Sequence, residues 1–86
     1  MTATERDLQI FILRVLLAAN DAPMTDDSLR TALRSAFLHV AFTAADLRRH
    51  IQDAEEKNLI SGTLDEVFGL MWALTPKGKI KAQQLR

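Results

Sequence analysis

Three side chains that can recognise nucleic-acid bases, Arg48, Arg49 and Gln52, lie close together in the sequence. Arginine and glutamine can each make two hydrogen bonds to one base edge in the major groove of DNA. Residues 43–57 have helical apolar spacing, and at ~100° per residue these three side chains fall opposite or beside the apolar stripe. The pattern therefore predicts a helix that presents a base-reading surface to the major groove.

The neighbouring residues limit which part of this helix could approach DNA. Ala44 and Ala45, at its start, are small and would allow close approach. Asp53, Glu55 and Glu56 fill its second half and would repel phosphates. The predicted DNA-facing part is therefore the first two turns, which are the part that recognition helices use. The alternative interpretation is an exposed helix whose mixed charges face solvent.

A second pair of cations, Arg30 and Arg34, lies one turn apart on an earlier predicted helix. Side chains of this kind supply many of the phosphate contacts in protein–DNA complexes. We therefore predict both as candidate phosphate-binding residues. The same spacing also occurs on ordinary solvated helix faces, and the sequence leaves both interpretations open.

The composition excludes several kinds of chemistry. The chain has no cysteine, which excludes disulfides and thiolate metal sites. We find no nucleophile–base pair, no metal-ligand cluster and no glycine-rich phosphate loop, and so expect a protein that is not an enzyme and has no cofactor or metal. Lys+Arg and Asp+Glu both number 11, so the formal net charge is zero. DNA binding would then depend on how the charges are arranged, because a basic surplus is lacking.

The sequence contains no recognisable membrane or targeting segment. The most apolar run, residues 10–19, is interrupted by Arg14 and is too short to cross a bilayer. Glu5 and Asp7 precede it, which is atypical of a signal peptide. We expect a cytoplasmic protein with a single domain over residues 1–86 and a thin core.

Threonine caps and apolar spacing predict four helices. Thr4, Thr25, Thr43 and Thr75 are the predicted N-caps, and Asp46 approximates a capping box with Thr43. The first helix is predicted over residues 4–20, and the last begins at Pro76 and is the most basic part of the chain. Ile80 and Leu85 are expected to anchor that last helix on the first. His39 is expected to be an ordinary turn or surface histidine.

Residues 58–75 predict a β-hairpin. Its strands are expected over residues 59–64 and 70–75, with Asn58 ending the preceding helix and Gly69 free to take a positive φ. Trp72 is expected to pack on the helices. The connection over residues 65–68 is acidic and apolar, and its Val67 and Phe68 would suit a protein partner.

The first helix is apolar on two sides. Ile10, Leu13 and Leu17 lie opposite its main stripe. These three residues predict either a homodimer interface, because small domains often need a partner, or a surface that the C-terminal segment covers within the same chain.

The segment D-L-R-R-H-I-Q-D-A-E-E-K-N-L-I, at residues 46–60, resembles the recognition helix and strand entry of PadR-like and MarR-like winged-helix regulators. L-T-P-K-G-K-I-K-A-Q-Q-L, at residues 74–85, is similar to the entry to their last helix. The two segments cover about the second half of the chain. The resemblance implies a mainly α winged helix-turn-helix fold, with a three-helix core, a β-hairpin wing and a short C-terminal helix.

This resemblance also implies a function. It implies a sequence-specific regulator that binds double-stranded DNA, usually as a homodimer. The matching groove-facing positions are Ala44, Ala45, Arg48, Arg49 and Gln52. The alternative is a winged-helix module that binds proteins and not DNA, which the acidic and apolar connection would suit.

Overall fold

The computed structural model describes residues 3–19, 22–38, 40 and 42–85. The elements follow in the order α1 (Ala3–Ala18), β1 (Met24–Thr25), α2 (Asp26–Ala36), α3 (Ala44–Glu56), β2 (Ile60–Asp65), β3 (Gly69–Leu74) and α4 (Pro76–Gln84). The predicted order of helices and hairpin is confirmed. His39 lies outside the described residues.

Three of the four predicted threonine caps are confirmed. Thr25, Thr43 and Thr75 have extended backbones, and each side chain accepts the backbone N–H of the residue three positions later. These caps satisfy donors that have no partner inside the helix. The prediction for Thr4 was wrong because α1 already begins at Ala3, so Thr4 has helical and not extended backbone.

The hairpin is part of a three-stranded antiparallel sheet with the order β1-β3-β2. β1 was not predicted, since two residues cannot show an alternating pattern. It pairs Met24 with Trp72 on β3. Asn58 and Gly69 have positive φ angles of 61° and 78°, which confirms the predicted helix stop and the predicted turn glycine.

The core lies between α1, α2, α3 and the sheet. Its fully buried large side chains are Leu8, Ile12, Leu16, Leu29, Leu33, Leu47, Ile51 and Ile60. Trp72 is also buried, as predicted. Together these residues join the helices and the hairpin around one core.

Helix α4 lies against α1 and against the start of the hairpin. Ala82 is fully buried and anchors α4, whereas Ile80 is 58% exposed, so its predicted anchoring role was wrong. A Cβ atom on Gly78 would lie 1.8 Å from the carbonyl oxygen of Leu59. Only glycine therefore lets α4 approach the hairpin this closely.

The second apolar side of α1 is partly covered within the chain. Leu13 is buried in the core, and Ile10 and Leu17 are half-buried. Leu13 is therefore a core residue. The C-terminal helix α4 lies against α1, as expected if the C-terminal segment covers this side within the same chain. A dimer interface on this side stays a prediction, with Ile10 and Leu17 as its more accessible members.

Candidate nucleic-acid interface

A capping box fixes the start of α3. Thr43 Oγ1 accepts the backbone N–H of Asp46 at 3.0 Å, and Asp46 Oδ2 accepts the backbone N–H of Thr43 at 3.0 Å. The hydrogen bonds from the backbone and side chain of Thr43 hold the pKa of Asp46 below its usual value. The helix that carries the candidate base-reading residues is thus fixed at its start.

The two sides of α3 have different environments. Leu47, His50, Ile51 and Ala54 are buried against the rest of the fold. The opposite side is exposed and carries all five predicted groove-facing residues, Ala44, Ala45, Arg48, Arg49 and Gln52. All five residues are therefore accessible; the helical spacing predicted this for Arg48, Arg49 and Gln52, and the family resemblance implied the full set.

Only weak contacts hold Arg49 in place. Its guanidinium lies 3.9 Å from Asp46 Oδ1 and 3.5 Å from His50 Nε2, and the side chain remains largely exposed. An exposed ion pair of this length contributes little. Arg49 can therefore turn toward a ligand without losing a strong internal interaction.

The two arginines of α2 differ from each other. Arg34 is exposed in the last turn of α2. Arg30 is half-buried, with its Nε 2.9 Å from Asp26 Oδ2. Asp26 also accepts a hydrogen bond of 2.9 Å from Trp72 Nε1. Arg30 is therefore held in a polar cluster, and Arg34 is the more available cation.

A cleft of about 260 Å³, which we call the α3 cleft, separates α3 from the hairpin. It brings Arg30 of α2 next to Arg48 and Gln52 of α3, with Trp72 in its wall. Two carboxylates, Asp26 and Glu55, also line the cleft. The part of α3 that lines the cleft changes from Arg48 and Gln52 to the acidic Glu55, and the limit of two DNA-facing turns stays a prediction.

The sequence matches no protein-family profile and no curated protein. A search of solved structures finds the crystal structure of SSV1 F-93, a viral protein, with a TM-score of 0.72. The match covers 91% of this chain and 80% of that chain, at 18% sequence identity. The chain has a winged-helix fold. At this identity the similarity establishes the fold alone.

In this winged helix the wing is β2, β3 and the connection between them. We call residues 65–68, the last residue of β2 and the connection, the hairpin tip. Asp65 Oδ1 accepts the backbone N–H groups of Val67 at 2.7 Å and Phe68 at 3.0 Å. These hydrogen bonds lower the pKa of Asp65. From Ile60 to Leu74 the sequence contains no lysine or arginine, so the wing brings no cation toward a phosphate backbone.

A polar cluster that the sequence did not indicate fixes α3 against α1. His50 is only 4% exposed. Its Nδ1 lies 3.3 Å from Gln9 Nε2, and Gln9 also donates a 2.9 Å hydrogen bond to Asp53 Oδ2. Glu5 Oε2 lies 3.9 Å from His50 Nε2. This cluster fixes the inner side of α3 and leaves its outer side exposed.

Metal-ligand clusters and membrane-spanning helices are both absent from the described residues of the winged helix. No group of three or more histidine or acidic side chains in that part of the chain could hold a metal ion. None of the helices there has the length and apolar character needed to cross a membrane.

Proposed function

We propose that this chain is a DNA-binding protein whose helix α3 (Ala44–Glu56) enters the major groove with its first two turns. The observation that carries this proposal is the exposed side of α3, where two alanines and three long donor side chains lie together. The buried side of the same helix is fixed to the core. A rigid helix with an accessible, donor-rich start is what base readout in the major groove requires.

The side chains on this surface suit different roles. Arg48, Arg49 and Gln52 are proposed to contact base edges, since arginine pairs with guanine and glutamine with adenine. Ala44 and Ala45 let the helix approach the groove floor. Two arginines of α2, Arg34 and Arg30, are proposed as phosphate contacts. Arg34 is the stronger of these candidates, because the guanidinium of Arg30 is already paired with a carboxylate.

The biological role follows from this binding mode. We propose a regulator of transcription that acts in the cytoplasm as a homodimer and has no enzymatic activity. A two-fold symmetric dimer would place two α3 helices on half-sites about one helical turn, ~34 Å, apart. Ile10 and Leu17, which are half-buried on α1, are the residues proposed to form the interface of this dimer.

A selection from random duplexes followed by binding measurements tests the proposal. The selected duplex is titrated with wild type, Arg49→Ala and Arg49→Lys by fluorescence anisotropy at several salt concentrations. The alanine variant should lose about 10- to 100-fold in affinity. The lysine variant keeps the charge but lacks the rigid planar guanidinium that presents two parallel N–H donors to a base edge. It should therefore lose affinity for the selected duplex and keep its affinity for random DNA.

The matched control is Arg6→Ala. Arg6 is an exposed arginine of α1 that lies on the side of α1 facing α4, and it does not line the α3 cleft. The control variant should leave the affinity for the selected duplex within about twofold. If the selection yields no preferred sequence and no duplex binds at about 20 mM salt, the proposed function is wrong.

A further inference from the structure

The hairpin tip is an exposed surface that is both apolar and acidic. Val67 is 81% exposed and Phe68 is 67% exposed. Asp65 and Glu66 precede them in the same turn. Exposed neighbouring apolar side chains of this size are typical of an interaction site.

This tip is held in one conformation. The carboxylate of Asp65 accepts the backbone N–H groups of both Val67 and Phe68, and Gly69 supplies the positive φ that closes the turn. The two apolar side chains are thus presented by a fixed backbone. Fixing the backbone beforehand reduces the entropy that a docking event would lose.

On another part of the fold, two adjoining cavities form what we call the α1–α4 groove. The first has a volume of about 240 Å³ and the second about 370 Å³. They share Lys57, Leu59 and Lys81. Ile10 and Leu85 line the first cavity, so its floor is apolar. An apolar cavity of ~150 Å³ is enough for a benzene molecule, so the first cavity has room for a phenylalanine ring.

The rim of the α1–α4 groove is basic. Its cations are Arg6, Lys57, Lys77 and Lys81. One carboxylate, Asp53, also lines it. Asp53 is paired with Lys57 Nζ at 2.9 Å and accepts a hydrogen bond from Gln9. The pairing neutralises one cation, and the groove keeps a positive excess beside an apolar floor.

We propose that the hairpin tip of one copy of this chain docks into the α1–α4 groove of a second copy. The tip combines acidic and apolar side chains, and the groove combines basic and apolar ones, so the two surfaces complement each other within a chain of zero net charge. The Phe68 ring enters the apolar part of the groove. The carboxylates of Asp65 and Glu66 face Arg6 and Lys81.

This contact is heterologous, because two different surfaces of the same chain meet. It does not depend on DNA binding and stands if the chain binds no duplex. Acidic side chains at the tip also disfavour an anionic lipid surface as the occupant. One tip in one groove buries less than a standard interface, which predicts weak association.

Complementation between two variants tests the contact in sedimentation experiments on the full chain without DNA. Phe68→Asp damages the tip and leaves the groove intact, whereas Lys81→Glu damages the groove and leaves the tip intact. Each variant alone should raise the dissociation constant at least about 10-fold. An equimolar mixture should form a 1:1 complex with nearly wild-type affinity, because one intact tip then meets one intact groove.

The control Leu38→Asp removes another exposed apolar side chain, which is 84% exposed and outside both surfaces. It should associate like wild type, and circular dichroism melting should show that all variants stay folded. A wild type that is monomeric up to about 1 mM would overturn the proposal. So would a mixture that associates no more tightly than either variant alone, since a dimer through α1, a tip–tip contact or a groove–groove contact cannot be complemented in this way.

Discussion

The indole Nε1 of Trp72 donates a 2.9 Å hydrogen bond to Asp26 Oδ1 and thereby joins the hairpin to the first turn of α2. The other carboxylate oxygen of Asp26 lies 2.9 Å from Arg30 Nε. Sheet, helix start and candidate phosphate-binding arginine are thus connected through one carboxylate. The position of the α3 cleft depends on this connection, because Trp72 forms part of its wall.

Removing Asp26 should destabilise the fold through Trp72. In Asp26→Ala the buried indole N–H loses its partner, which costs about 1–3 kcal/mol. Trp72→Phe removes the donor and should also destabilise, through the lost indole packing. In urea unfolding, the loss of unfolding free energy in the double variant Asp26→Ala/Trp72→Phe should be smaller than the sum of the two single losses, by about 1 kcal/mol. Additive effects would show that the hydrogen bond contributes nothing.

Stability should fall in acid partly through the capping box of α3. Since folding lowers the pKa of Asp46 through the hydrogen bonds from Thr43, its ionised form stabilises the folded state at pH values above the unfolded-state value. The ordinary pKa of the Asp46 carboxyl, which applies in the unfolded chain, is 3.8. The stabilisation is lost as the pH falls from this value through the lower pKa of the folded state. Denaturant unfolding measured from about pH 6 to about pH 2 checks this.

The control for this pH effect is Asp46→Asn, which does not titrate. Asp53 and Asp65 also have lowered pKa values, from the Lys57 hydrogen bond and from two backbone N–H groups. Protonation of Asp53 and Asp65 therefore also lowers the stability in acid, equally in wild type and in Asp46→Asn. The variant should therefore show a smaller acid loss than wild type, and equal losses would refute the role of Asp46.

Gly78 and Gly69 should respond differently to alanine. At Gly78 the added Cβ would collide with the Leu59 carbonyl, and the forced shift of α4 should cost about 2–3 kcal/mol. At Gly69 the Cβ meets nothing within 4 Å but the φ of 78° is unfavourable, which should cost about 1 kcal/mol. Thermal melting should rank Gly78→Ala as the less stable variant, and the reverse order would contradict the close packing.

The elements that the sequence predicted well have strong local causes. Thr43 with Asp46 marks a helix start because both side chains act on backbone groups nearby. Asn58 marks a helix end because asparagine tolerates the positive φ found there. The apolar stripe of α3 is equally local, and its exposed side follows from it by geometry. The helical spacing alone was therefore enough to place Arg48, Arg49 and Gln52 on the exposed side.

The missed features depend on contacts between distant residues. β1 exists because Met24 pairs with Trp72 across the fold, and a two-residue strand has no sequence pattern. The contact of Asp26 with Trp72 was not predicted, since nothing local indicates a tryptophan 46 positions later as its donor. Buried His50 contacts Gln9, which is 41 positions away in the sequence.

The most direct test of DNA binding through α3 is to map the backbone amide NMR signals of the chain while the selected duplex is added. The proposal predicts that the largest shifts fall in the first two turns of α3, from Ala44 to Gln52, with smaller shifts at Arg34. Signals from the α1–α4 groove should stay unchanged at protein concentrations below self-association. Shifts confined to the hairpin tip or the groove, with α3 unaffected, would contradict the account.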